Sequence, residues 1–188
     1  GKIALDKSVT VADGGVHAKS VTIAGTNYVF SGGKVLVDQS LSLSAQQNAR
    51  FDSAVVIGSS APLQLDVEAG ATLTLSTLET VSTQSYGGVS YGSGAFCKTG
   101  AGTLLITDAI NGTITGATVS GGKLVLGVAG AEDVAKTVSL AVGSNTLTTA
   151  GGSLENVELL SSGTVVDYKN TEAHANNVIK SADGVNYA

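Results

Sequence analysis

The chain writes one phrase twice. Thr22-Ile23-Ala24-Gly25 is followed, after a short spacer, by Ser31-Gly32-Gly33-Lys34-Val35-Leu36-Val37. Far downstream, Thr113-Ile114-Thr115-Gly116 leads, after a shorter spacer, to Ser120-Gly121-Gly122-Lys123-Leu124-Val125-Leu126. A small-residue turn that feeds an apolar strand, used again at a distance, predicts stacked strand-and-turn units instead of one globular core. Such a stack is a scaffold first. Any chemistry has to sit on side chains that project from its rungs.

The period along the chain is that of β-structure throughout. Val21-Thr22-Ile23, Leu41-Ser42-Leu43, Leu63-Gln64-Leu65-Asp66-Val67 and Thr72-Leu73-Thr74-Leu75 alternate apolar with polar, the mark of a half-buried strand. Further short strands are expected at 34–37, 54–57, 103–106, 117–119, 123–126, 145–149 and 157–160. Gly25, Gly32-Gly33, Gly58-Ser59-Ser60, Gly70, Gly87-Gly88, Gly121-Gly122 and Gly151-Gly152 supply the turns between them. Helix signals are thin: one turn within 130–138, and a segment at 170–180, read as helix or loop, with Asn170 or Thr171 as its cap. The end of the chain, 169–188, is read as a cap or tail of the stack. One stretch breaks the rhythm, Gln84 to Gly94, where Tyr86 and Tyr91 stand among glycines and serines. It predicts an excursion loop, and the two tyrosines are the candidate ligand contacts, since Tyr gives contact area at low entropic cost.

Composition narrows the function. Of 188 residues 13% are charged and 43% hydrophobic, which argues against disorder and for a single domain spanning 1–188. No apolar run approaches the ~18 residues a membrane-spanning helix needs, so no direct membrane insertion is expected. The net charge of −5 and the single arginine, Arg50, make nucleic acid a poor partner. Cys97, the single cysteine, is expected to be a buried thiol, and with His17 and His174 far apart no metal quartet and no cofactor site is expected.

The sequence presents no complete catalytic constellation. Glycoside hydrolysis needs two carboxylates converging within ~5–10 Å. Asp66 and Glu68, flanking Val67, are the best pair available, and a solvated strand edge is the ordinary reading of them. His17 is followed by no G-x-S-x-G elbow, and neither a phosphate loop nor a dinucleotide fingerprint occurs. A non-enzyme is therefore expected.

Lys98-Thr99-Gly100-Ala101-Gly102-Thr103-Leu104-Leu105-Ile106, a spacer, and then Gly116-Ala117-Thr118-Val119-Ser120-Gly121-Gly122-Lys123-Leu124-Val125-Leu126-Gly127 resemble the autotransporter-associated β-strand repeat. The match spans 98–127, with Ala117 and a compressed spacer as departures. The repeat residues it singles out are Lys98, Gly100, Gly102, Gly116, Gly121, Gly122 and Gly127. The resemblance implies a passenger region of bacterial type V secretion, folded as a right-handed parallel β-helix outside the outer membrane. It implies too a C-terminal outer-membrane β-barrel in the full-length protein. No barrel signal is read at 185–188, so this chain is expected to be a passenger segment.

The expectation is thus an all-β solenoid of roughly eight rungs with a structural or adhesive role at the cell surface. Its partner would be a glycan or protein on a host or neighbouring cell. Two alternatives stand beside it: a carbohydrate-active β-helix of the lyase or hydrolase kind, and an antiparallel β-sandwich binding module. Asn111-Gly112, Asp13-Gly14 and Asp183-Gly184 would serve the sandwich as hairpin turns.

Overall fold

The computed structural model describes residues 7–80, 94–112 and 114–127 with their side chains. It also describes the backbone of short strands at 85–86, 89–90, 139–140, 147–149, 152–155, 158–159, 179–180 and 186–187. The path is that of a three-faced parallel solenoid of about five turns, with no helix among the described residues.

The first face is laid down by β1 (Lys7–Val11), and β2 (Val16–Ile23) bends to supply the second and third faces of the first turn. The second turn repeats this with β3 (Tyr28–Gly32) and the bent β4 (Val35–Leu43). The third uses three separate strands, β5 (Asn48–Phe51), β6 (Val55–Ile57) and β7 (Leu63–Val67). In the fourth, β8 (Thr72–Thr80) covers two faces, and a small antiparallel pair, β9 (Ser85–Tyr86) and β10 (Val89–Ser90), intervenes before β11 (Gly94–Thr99). The fifth is β12 (Thr103–Asn111), again across two faces, and β13 (Ile114–Val119). β14 (Gly122–Leu126) opens the next turn on the first face. Every one of these strands except the β9–β10 pair bonds in parallel to its equivalent a turn away.

Parallel register turns the sequence alternation into files. On the first face, Phe30, Phe51, Leu75, Ile106 and Leu126 stand in line. The last four are wholly buried, and the rings of Phe30 and Phe51 stack at 4.2 Å. The second face contributes Val35, Val55 and Leu78. The third contributes Ile23, Leu43 and Val67. Each fully enclosed aliphatic side chain contributes about 1.5–3 kcal/mol by leaving water, and the three files meet in one core. Thr and Ser occupy the alternate, outward positions.

The corner between the third and first faces carries a left-handed residue in each of the first four turns: Asn27 (φ 60), Gln46 (φ 58), Gly70 (φ 70) and Gly100 (φ 73). All four lie at this corner, with a side chain in the first two turns and glycine in the next two, and Gly70 stands against Gln46 of the turn before.

Two expectations need correction. Roughly eight rungs were expected over the 188 residues, and about five turns are found, lying between Lys7 and Leu126 with an uneven repeat that is longest from Thr72 to Thr103 and shortest from Thr103 to Lys123. The antiparallel sandwich is excluded for the main sheet by its parallel register. Asp13-Gly14 lies at the corner between β1 and β2, and Asn111-Gly112 at the corner between β12 and β13, where neither closes a hairpin. Asp183-Gly184 and the segment 130–138 lie outside the described residues. So does 170–180 except for the strand Ile179–Lys180, and of 169–188 only that strand and Asn186–Tyr187 are described.

Candidate functional site

The corner lengths single out one edge of the solenoid. Between the second and third faces the chain uses Lys19 in turn one and Asp38-Gln39 in turn two. It uses 58–62 in turn three, 81–93 in turn four and 112–113 in turn five. Across these five turns the other two corners stay within four residues, 24–27 and 44–47 being typical. Insertions in solenoids collect on the side that can tolerate them, which is often the binding side.

The root of the longest insertion is tightly held. On one side Thr80 ends β8, buried in line with Val37 and Ile57. On the other, Gly94 begins β11 so close to β6 that a Cβ there would come 2.8 Å from Ile57 Cγ2. From this root the chain forms the β9–β10 pair, in which Tyr86 is opposite Val89. For Tyr86 the backbone alone is described, and Tyr91 lies outside the described residues.

Just beyond the root sits the residue with the strangest surroundings in the molecule. Lys98 occupies the inward file of the third face, in register with Leu65 on one side and Val119 on the other, and it is fully enclosed. Its ammonium donates to the carbonyls of Thr99 at 2.7 Å, Gly100 at 2.8 Å and Gly121 at 3.0 Å. Three donors meet three acceptors, so the charge is buried without a vacant hydrogen bond. Enclosure lowers its pKa to about 8, with Asp66 and then Cys97 opposing that fall. Beside it, the Thr99 hydroxyl donates to Asp66 Oδ1 at 2.9 Å. Turns three, four and five are tied together at this one corner.

The glycines of the repeat serve the same corner. A Cβ on Gly100 would stand 2.3 Å from the Val67 carbonyl oxygen, on Gly102 2.2 Å from that of Glu68, and on Gly122 2.2 Å from that of Gly102. At Gly121 the nearest atom, the Gly100 oxygen, would be 3.2 Å away, while Gly116 lies inside β13 with only an ordinary 3.8 Å approach to Ala95. Gly127 has φ 99 at the end of β14.

The remaining reactive groups have structural partners. Glu68 Oε2 accepts from the Ala45 amide at 3.0 Å, and Asp66 from Thr99, so each of the two carboxylates is held by a neighbouring turn. His17 Nε2 lies 2.8 Å from Asp38 Oδ1, across the edge where the insertions collect. Cys97 is half-buried, correcting the expectation of a buried thiol: Phe96 and Lys98 take the inward positions of β11, which leaves Cys97 outward, 3.4 Å from the Ser120 hydroxyl. No group of three metal-ligating side chains occurs among the described residues. A shallow groove of about 140 Å³ crosses the first face beside Asn27, Asn48, Arg50, Thr72 and Thr74. It is small against the 300–1,000 Å³ of ordinary ligand sites, and Asp52 already pairs with Arg50 at 2.8 Å.

Compared with family models, curated proteins and solved structures, the chain matches none. The likeness to the autotransporter-associated repeat therefore rests on residues 98–127 themselves.

The repeat resemblance singles out Lys98 but does not show that it points inward. The signal was there: Phe96, two residues earlier, shares its parity. The sequence does not show the edge at all, because corner lengths become comparable only once the register is known.

Proposed function

We propose that this chain is a non-catalytic structural and adhesive segment of a bacterial surface-exposed, autotransporter-like protein, carrying a binding surface on a β-solenoid stalk. The observation that carries the reading is the concentration of insertions at the corner between the second and third faces, ending in the β9–β10 excursion of turn four. A rigid, repetitive rod gives that excursion a fixed mounting. Asp66, Glu68 and the His17–Asp38 pair, each engaged between turns, speak for scaffold over turnover. The partner in this reading is a glycan or protein on a host or neighbouring cell. The full-length protein would carry an outer-membrane β-barrel after this segment, with this segment outside the cell.

The experiment is a glycan array and a cell-binding assay with the purified chain, set beside a variant in which 84–91 is replaced by a Gly-Ser linker and another carrying Tyr86→Ala and Tyr91→Ala. Binding by the parent and its loss in both variants is expected. Equal signal from all three removes the excursion as the contact.

A further inference from the structure

Asn111-Gly112 is the only asparagine–glycine step in the sequence. Having no hairpin to close, it ends β12 and opens the corner to β13, on the edge where the insertions collect. Asn111 is exposed, in register with Glu79 of the turn before. Gly112, exposed as well, leaves the strand path with φ 93. Its backbone is pinned all the same: a Cβ there would lie 2.1 Å from Thr80 Oγ1 and 2.6 Å from the Thr80 carbonyl oxygen. Two residues beyond Asn111 the chain reaches Thr113, and the next side chain, Ile114, is wholly buried.

We propose that Asn111 is a site of spontaneous covalent modification, deamidation through a cyclic imide, with water as the co-reactant. The Gly112 backbone nitrogen attacks Asn111 Cγ and a C–N bond forms. The bond from Cγ to the side-chain nitrogen breaks, and ammonia leaves with the proton that the Gly112 nitrogen gives up. Water then opens the ring at either carbonyl, leaving aspartate or isoaspartate. The attack needs a following residue that does not crowd its own nitrogen, and only glycine lacks a Cβ. Asn27 and Asn48 differ on this point, since they precede Tyr28 and the buried Ala49. The product is unfavourable where it forms. Its carboxylate stands opposite Glu79, and like charges in register destabilise a sheet. Isoaspartate also carries an added methylene in the main chain, between Asn111 and the enclosed Ile114, with Gly112 held against Thr80 and unable to give way. The reaction thus alters both the charge and the path of the insertion edge with the age of the molecule, whatever that edge binds.

Ageing the whole chain in warm, mildly alkaline buffer, followed by tryptic digestion and mass spectrometry, tests this. Cleavage after Lys98 and Lys123 releases 99–123, in which Asn111 is the only side-chain amide. That peptide should gain the mass difference between an amide and an acid and accept methyl groups from an isoaspartyl methyltransferase. The folded chain should convert alongside a guanidinium-unfolded sample, and Asn111→Gln should remove both signals. The aged chain should melt about 3 °C below the fresh one. Asn111→Asp should reproduce part of that fall, since it supplies the charge without the methylene. A folded chain that keeps its mass while the unfolded one gains it overturns the proposal, as does a full conversion that leaves the melt unchanged.

Discussion

Turns two and three differ from turn four in how they hold the same bend. In the earlier turns the inward file of the third face is aliphatic, Leu41 above Leu65, and the first face stacks Phe30 on Phe51. Packing carries them, with Gln46 at the left-handed corner of turn two and Gly70 at that of turn three. In turn four the third-face file holds Lys98, the corner is Gly100, and backbone carbonyls take the place of apolar neighbours. The difference teaches that a solenoid can replace a hydrophobic contact by a saturated ammonium where the chain must return from an excursion. There the register is set by directional bonds, where an aliphatic file would tolerate a slip.

That contrast can be broken from either side. The largest effect is expected at Phe51→Ala, which empties the centre of the packed region and should lower the unfolding free energy by about 4 kcal/mol in urea titration. Gly100→Val should follow at about 3 kcal/mol, since its side chain meets the Val67 carbonyl in a left-handed backbone. Lys98→Met keeps the volume and strands the three carbonyls, and should give up about 1.5 kcal/mol at neutral pH. The same pair of proteins separates charge from packing. With the folded pKa near 8 against 10.5 for the free side chain, the unfolded chain holds a proton between those values that the folded chain has shed. The part of the stability that is linked to this titration is thus complete above pH 10.5 and lost as pH falls through 8, leaving at neutral pH the ammonium's three hydrogen bonds that Lys98→Met removes. Thermal melts of the parent should rise across that window, with Lys98→Met lacking that rise. The smallest change is a gain: Gln46→Gly should relieve the left-handed corner of turn two and raise stability by about 0.5 kcal/mol.

The alternation at 41–43, 63–67 and 72–75 was enough to read strands, because period two survives in any half-buried strand. The strands at 7–11, 28–32 and 48–51 escape the sequence reading, since Lys7 stands at an inward position, Val29 fills the outward position between Tyr28 and Phe30, and Ala49-Arg50-Phe51 is too short an alternation to stand out. The number of turns is overread because the repeat was spread over all 188 residues, while the five turns lie between Lys7 and Leu126. Tyr86 and Tyr91 could be noticed as residue types. What sets their segment apart is its place on the edge where corner lengths grow, a property of alignment between turns that no single stretch of sequence contains.

The tie at Lys98 bears on what happens when something pulls on the excursion. Tension entering through the strand that starts at Gly94 reaches Lys98 four residues on. There the ammonium passes it to the Gly121 carbonyl of turn five and the Thr99 hydroxyl passes it to Asp66 of turn three. A tether mounted this way is anchored in three layers at once, so detaching it means shearing several strands together instead of peeling one.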